Sequence, residues 1–551
     1  MTQISTDNFL TMITMIGVVA FTLTALISWF QPGMRPTLVK RISIASAAIS
    51  IPIAILGGFF VFANGPLQSS TFGFAGLGFS LRLDSVSMII LTMIALLGFI
   101  VVKFSLNYLD GDARQGAFLG RIAAAIASVQ LLVLAGNLGL ILAAWVLTSI
   151  SLHRLLLFYP DRPGAIIVAR KKFIVARLSD ACLALAVVML YQQFGTGDLT
   201  IIFEAIKQNT VAGSPFMGIE TAAIFIALAA VFKSALFPTH GWLVEVMETP
   251  TPVSALLHAG LLNAGPFLIM RLAFIMEVSS YATYILVILG AFTALFASVV
   301  YLTQTSIKTA LSYSSIAHMG FSLMMCGLGL YPAAILHLVA HSFYKAHSFL
   351  SSGSVIDLIK IGRLGAPERI GSPLRILVAI ALSIGVFIGS SMIVGVDPKG
   401  EFSLLIIGTI LTLGISRIFV NALDSKVNLK LIGQALLMVM GISTVFFLLE
   451  TGAHYLVATA VPATMPSSLV EIVLISIVFF AFLVTVIVQM LAPFITKKPA
   501  HIALAIHLKN GLYANAIFDR IIGSWSNEVS PAPLTENQTV ELETYPQTAQ
   551  A

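Results

Sequence analysis

Residues 222–242 read AAIFIALAAVFKSALFPTHGW, and their reading decides the fold. The first eleven are apolar without interruption; then comes a lone lysine, Lys233, and five residues later Pro238. A surface helix of a soluble protein would show a polar face at helical spacing, and a membrane β-strand would alternate apolar and polar residues. Neither pattern is present. Lipid admits only helices and closed barrels, because backbone groups there find no water. The stretch is therefore read as part of a membrane helix over 220–237.

The same kind of stretch recurs on both sides with short connections. About fifteen spans are expected, each near the ~20 residues that cross a bilayer. They lie at 9–30, 42–63, 86–105, 117–135, 138–158, 174–191, 220–237, 251–276, 281–302, 307–328, 333–352, 373–394, 402–421, 429–450 and 469–494. Composition agrees: of 551 residues, 58% are hydrophobic and 10% charged, against about 25% charged in soluble chains. The fold class is thus an all-α polytopic membrane protein. Residues 1–7 carry no basic region or cleavage site, so the first span is expected to stay in place. The two cysteines, Cys182 and Cys326, are far apart and imply neither a disulfide framework nor a CxxC metal site.

The net charge of +6 would hint at nucleic acid in a soluble protein. Here the lysines and arginines gather in loops after odd-numbered spans: Arg35, Lys40 and Arg41; Arg162, Arg170, Lys171 and Lys172; Lys360, Arg363 and Arg369; Lys426; Lys497 and Lys498. By the positive-inside rule these loops are cytoplasmic. The N-terminus is then periplasmic, the C-terminus cytoplasmic, and no nucleic-acid partner is expected. Residues 497–525 alternate apolar and polar positions as a cytoplasmic amphipathic segment would, suited to a membrane surface or a partner. The acidic stretch 526–551, rich in Pro, Thr and Gln, is expected to be disordered.

Charges inside apolar spans are costly, at about 2.5–3.5 kcal/mol each on insertion scales, so they mark a partner or a water-filled path. Arg177 and Asp180 begin the sixth span, Lys233 lies deep in the seventh and His258 in the eighth. Lys308 and His318 lie in the tenth; His337, His341, Lys345 and His347 crowd the eleventh; His240 follows Pro238. Histidine titrates near neutral pH, and a buried lysine is able to, so the series suits a proton relay. Pro238, Pro250 and Pro252 interrupt helices near Lys233, as in the discontinuous helices of transporters. Plainer readings exist. Lys308 suits snorkelling to the interface. Arg82 and Asp84 suit an interfacial pair. His337 and His341, at i and i+4, also suit a metal or an interhelical hydrogen bond, but no third carboxylate or cysteine is near.

Several motifs in this chain have a family resemblance. KSALFPTHGW at 233–242, PTPVSALLHA at 250–259, IKTALSYSS at 307–315, HLVAHSFYKA at 337–346, FLSSGSV at 349–355 and IVARLSD at 174–180 occur in order. Together they resemble the antiporter-like subunits of respiratory complex I and of Mrp-type cation/proton antiporters, over roughly 80–360. The resemblance implies two inverted five-helix repeats, each with a broken helix. It also implies a polar axis in which Lys233 is the central proton carrier and His258, His337 and His341 follow. The domain reading is 1–115 N-terminal helices, 116–278 first repeat, 279–425 second repeat, 426–496 C-terminal helices, 497–525 amphipathic segment and 526–551 tail.

Two departures narrow the resemblance. Trp145 is followed by Val146 where that superfamily usually has a glutamate, and the span 373–394 has no acid or lysine after Arg375. With YKAHSFL at 344–350 and a short C-terminus, the chain looks like the DabB subunits of inorganic-carbon accumulation complexes. That resemblance implies a cation-conducting subunit, for protons or sodium, beside a DabA-like peripheral zinc protein similar to β-carbonic anhydrase. Zinc and CO2 hydration would belong to that partner, with no cofactor in this chain, which would be a transporter subunit of a bacterial inner membrane. Two other readings stay open: a pumping subunit of a complex I-like or Mrp-type assembly, and a non-conducting membrane scaffold.

Overall fold

The computed structural model describes residues 2–212, 218–354, 373–397, 400–424, 429–463, 468–495 and 499–523. The expected tail at 526–551 and the basic residues Lys360, Arg363, Arg369, Lys426, Lys497 and Lys498 lie outside the described residues.

Helices follow one another along nearly the whole chain. The first six are α1 (Thr2–Ile27), α2 (Thr37–Asn64), α3 (Ser85–Tyr108), α4 (Gln115–Leu134), α5 (Leu138–Leu156) and α6 (Pro163–Phe194). Next come α7 (Leu199–Ala212), α8 (Ile219–Lys233), α9 (Gly241–Val244), α10 (Thr251–Ala259), α11 (Ala264–Arg271) and α12 (Ala273–Glu277). The long pair α13 (Ser280–Tyr301) and α14 (Ile307–Gly327) precedes α15 (Tyr331–Leu350). The remainder is α16 (Pro373–Val394), α17 (Phe402–Asp424), α18 (Leu429–Val457), α19 (Leu469–Ile495), α20 (Pro499–Lys509) and α21 (Ala514–Gly523).

Among the described residues, eleven helical segments are long and apolar enough to cross a membrane, with α10 to α11 counted as one. At the other four expected positions stand α8, α14, α15 and α17. Helix α8 stops after fifteen residues; α14 and α15 carry polar and charged residues, and only Phe402–Ser416 of α17 is an apolar run, of shorter length. Large apolar side chains face outward along the bundle, among them Ile55, Phe59 and Phe62 on α2 and Ile477, Phe480, Val484 and Val488 on α19. Apolar patches of that extent need a lipid or protein surround.

The wholly helical expectation needs one correction. The connection between α2 and α3 folds into four short strands, β1 (Leu67–Gln68), β2 (Phe72–Phe74), β3 (Leu77–Phe79) and β4 (Arg82–Leu83). β1 pairs antiparallel with β4, and β2 with β3. Ala75 and Gly76, both with positive φ, make the two-residue turn that closes β2 onto β3. Strands of two or three residues leave too little pattern to read from sequence.

Polar residues at helix starts set the register. Asp84 caps α3, accepting from the Ser87 backbone while Ser87 Oγ accepts from the Asp84 backbone. Asn137 and Ser279 cap α5 and α13 with their side chains, accepting from the backbone N–H of Leu140 and Ala282 without a bond in return. Helices α13 and α14 meet along glycines: a Cβ on Gly290 would lie 2.6 Å from the Gly320 carbonyl, and one on Gly320 2.7 Å from the Gly290 carbonyl. Close backbone approach of this kind is how membrane helices gain packing without a hydrophobic drive between them.

Arg271, at the end of α11, ties the N-terminal helices to the centre. Its Nη1 donates to Asp84 Oδ2 at 2.5 Å, and its Nη2 donates to the carbonyls of Arg82, Val133 and Ala135. Asp84 also accepts from Arg82 at 3.3 Å. The interfacial pairing expected for Arg82 and Asp84 is therefore a buried three-member network, since a third charge from residue 271 completes it.

Candidate functional site

The segment Thr251–Arg271 is wholly buried at the centre of the bundle. Pro250 and Pro252, expected to break it, instead open α10, where a missing N–H costs nothing. The interruption falls later, at Gly260–Asn263, where a single 3-10 turn separates α10 from α11. A second interruption follows Lys233: α8 ends there, Ala235 takes φ 53°, and the chain runs irregularly through Pro238 to α9. Two polar clusters lie on either side of α10.

The first cluster is built on Lys233. Its ammonium donates to the Trp145 carbonyl at 2.9 Å, Thr148 Oγ1 at 2.8 Å and Ser149 Oγ at 2.7 Å. It also sits 4.4 Å from the centroid of the Trp145 ring, a cation–π contact. Trp145, Thr148 and Ser149 share one face of α5 at i, i+3 and i+4. Trp145 Nε1 donates to Ser179 Oγ, and Ser179 Oγ donates to the Ala229 carbonyl, locking α5, α6 and α8 together. Asp180, the acidic residue of the neighbouring helix, pairs with Arg177 one turn back on α6, Nη2 to Oδ2 at 2.6 Å. It acts on Lys233 through space, without contact. The neutral acceptors of α5 occupy the position nearest the amine.

The second cluster spans α10, α14 and α15. His258 is fully buried, stacked on Phe349 with ring centroids 4.3 Å apart. Lys345 is likewise fully buried, and its ammonium donates to the Leu311 carbonyl at 3.3 Å. His318 Nδ1 and His337 Nε2 share a hydrogen bond at 3.1 Å, and the His341 ring lies 4.7 Å from that of His318. Both ring nitrogens of His258 and of His341 are buried, without a hydrogen-bond partner among the described residues. Among the described residues, no group of His, Cys, Asp and Glu is arranged to hold a metal.

The break at Gly260–Asn263 joins the two clusters. Ser234, next to Lys233, donates to the Leu262 carbonyl at 3.2 Å. Asn263 donates to Ser342 Oγ, next to His341, at 2.7 Å. Unwound backbone at this depth is tolerated where it is enclosed by protein or lines a cavity.

Other expected site residues lie apart. His240 begins α9 inside a ring of Phe237, Phe296 and Tyr313. Lys308 stands in the first turn of α14, and His347 is exposed near the end of α15; neither shares a hydrogen bond or ring contact with the clusters among the described residues. Trp145, Thr148, Ser149 and Asn263 also belong to the site; being uncharged, they are not marked in the sequence as the charges inside apolar spans are. Arg170, Lys171 and Lys172, expected in a loop, lie on α6, which starts at Pro163. The amphipathic segment does not stand free: Asp519 on α21 pairs with Lys171, Asn515 donates to Glu245 at 2.6 Å, and Gln304 donates to the Lys509 carbonyl.

Comparison with known proteins adds relatives. The family profile described as NADH:quinone oxidoreductase/Mrp antiporter, TM matches residues 135–365. A second, described as NADH-ubiquinone oxidoreductase (complex I), chain 5 N-terminus, matches 71–119. The chain is 33% identical over 464 residues to a probable inorganic carbon transporter subunit DabB2 of Halothiobacillus neapolitanus, covering 83% of each protein. It is 30% identical over 425 residues to NADH-quinone oxidoreductase subunit L of Escherichia coli, covering 73% of this chain and 68% of that one. Among solved structures, the Mrp complex from Dietzia sp. DQ12-45-1b superposes on 94% of this chain and 60% of its own, with a TM-score of 0.61 at 20% identity, a likeness of fold.

Proposed function

Because this chain belongs to the DabB family of inorganic carbon transporter subunits, within the complex I/Mrp antiporter superfamily, we propose that it is the proton-conducting membrane subunit of an inorganic-carbon accumulation complex. The observation that carries this reading is the pair of polar clusters, half-buried Lys233 on one side of the broken α10–α11 segment and buried His258, Lys345 and His341 on the other. Amines and imidazoles bind protons, whereas hard cations are held by sets of oxygens. A series of nitrogen bases favours the proton over sodium. Charged groups buried with so few countercharges are costly to keep without use, which weighs against a scaffold that conducts nothing.

On this reading α8, α14, α15 and α17 complete fifteen spans, and 116–278 and 279–425 form two inverted repeats. The N-terminus is periplasmic and the C-terminus cytoplasmic in a bacterial inner membrane. The chemistry of CO2 hydration lies in a peripheral zinc partner, and this chain supplies the energy of proton flow. The pumping role of a complex I-like or Mrp-type assembly is the alternative, favoured by the 73% of this chain that aligns with subunit L.

The test is uptake of labelled inorganic carbon by cells expressing this chain with the partner that copurifies with it. A protonophore is expected to abolish accumulation. Accumulation that persists without an ion gradient would contradict the proposal.

A further inference from the structure

Lys171 and Lys172 are neighbours on α6 with opposite surroundings. Lys171 has carboxylates: Glu245 on one side and Asp519 on the other. Lys172 is 5% exposed, and among the described residues the one polar contact of its ammonium is the Ser149 carbonyl, at 2.5 Å. No carboxylate lies within ion-pair distance of it among the described residues. The charged and titratable groups that face it are Lys233 from α8, His153 from α5, and Asp180 and Arg177 from its own helix. Asp180 is already engaged by Arg177.

Lys172 and Lys233 meet on the same residue. Lys172 holds the carbonyl of Ser149 and Lys233 holds its hydroxyl. Both side chains line one cavity with Thr148, Trp242 and Leu261. Two ammonium groups this close, with one shared and already committed carboxylate, repel each other, so that protonating one disfavours protonating the other. Lys172 also stands about 12 Å along α6 from Asp180, at eight residues and ~1.5 Å each. That places it on the side of α6 where Lys171 pairs with the half-exposed Asp519.

We infer that Lys172 is a second proton-binding site, which loads Lys233 from the N-terminal end of α6. The inference rests on the proton-conducting reading of Lys233. The step is a transfer from Lys172 Nζ to Lys233 Nζ: one ammonium becomes an amine, the other amine becomes an ammonium, and no bond other than N–H changes. Lys172 is then reprotonated from the aqueous side past Lys171.

The experiment measures proton flux into proteoliposomes holding the purified complex of this chain with its partner. Wild type is compared with Lys172→Arg, Lys172→Gln and Lys233→Ala, each first shown to give a monodisperse complex. Arg and Gln both keep an N–H donor for the Ser149 carbonyl, so a purely structural role for Lys172 survives either change. A relay does not survive them, because the guanidinium does not release its proton and the amide does not accept one. Flux is expected to fall on the order of 10²-fold in both Lys172 variants. If Lys172→Arg does not assemble, Lys172→Gln alone decides. Flux within about twofold of wild type in an assembled Lys172 variant, with Lys233→Ala inactive, would overturn this inference alone. Wild-type flux in Lys233→Ala as well would overturn the reading beneath it.

Discussion

Replacing Ser149 with alanine is the sharpest probe of how Lys233 is held. The change removes Oγ, which accepts from the Lys233 ammonium at 2.7 Å, and leaves the Ser149 carbonyl that Lys172 uses. Alanine is a better helix former than serine, so α5 itself is not weakened. Three neutral acceptors hold the ammonium: the Trp145 carbonyl, Thr148 Oγ1 and Ser149 Oγ. A hydrogen bond to a charged group contributes about 1.5–3 kcal/mol. Losing one of the three therefore tilts the balance between ammonium and amine by about 10- to 150-fold. Proton flux through the reconstituted complex, followed with an entrapped pH-sensitive dye, is expected to fall by about tenfold or more. Adding Thr148→Val removes a second acceptor and deepens the loss, though by less than the simple product, because the two bonds share one donor. Wild-type flux in the double variant, with the complex intact, would refute the claim that these hydroxyls hold a working proton carrier.

Other expectations follow from the ion pairs. Asp180→Asn removes a charge that acts on Lys233 at a distance, so uptake should drop several-fold while Lys233→Ala removes it entirely; equal losses would mean that Asp180 touches the carrier directly. Arg271→Ala leaves Asp84 buried beside Arg82 alone and strips donors from three carbonyls. Breaking a buried pair costs about 3–5 kcal/mol, so the thermal midpoint of the purified complex should fall by several degrees; an unchanged midpoint would discount the network. Asn515→Ala with Asp519→Ala should release α21 from Glu245 and Lys171. Faster proteolysis at 499–523 is the expected readout, and unchanged cleavage would show that the segment is held by its apolar side chains.

Much of this site was legible because a charge inside an apolar run has few ordinary explanations. Lys233, His258, Lys345, His337 and His341 stood out for that reason, and the structure gathers them on either side of α10. Lys172 did not stand out, because Arg170 and Lys171 beside it made a basic loop the simpler reading. Only the extension of α6 back to Pro163 turns Lys172 inward. The break at Gly260–Asn263 was hidden by Pro250 and Pro252, which draw attention to a helix start where a proline is harmless. The span count was least secure where function intrudes. Helix α8 ends at Lys233, and α14 and α15 carry the polar residues that lower their apolarity. The same residues that mark the site blur the membrane signal.

The most direct test of the central claim is proton flux driven by an imposed pH difference across proteoliposomes containing the complex, with Lys233 intact or replaced. Lys233→Ala removes the amine, and Lys233→Arg keeps a charge that is never released. Both variants should insert and assemble, and both should conduct no more than liposomes without protein. Wild-type flux through either variant would contradict the account and leave Lys233 a structural donor to α5.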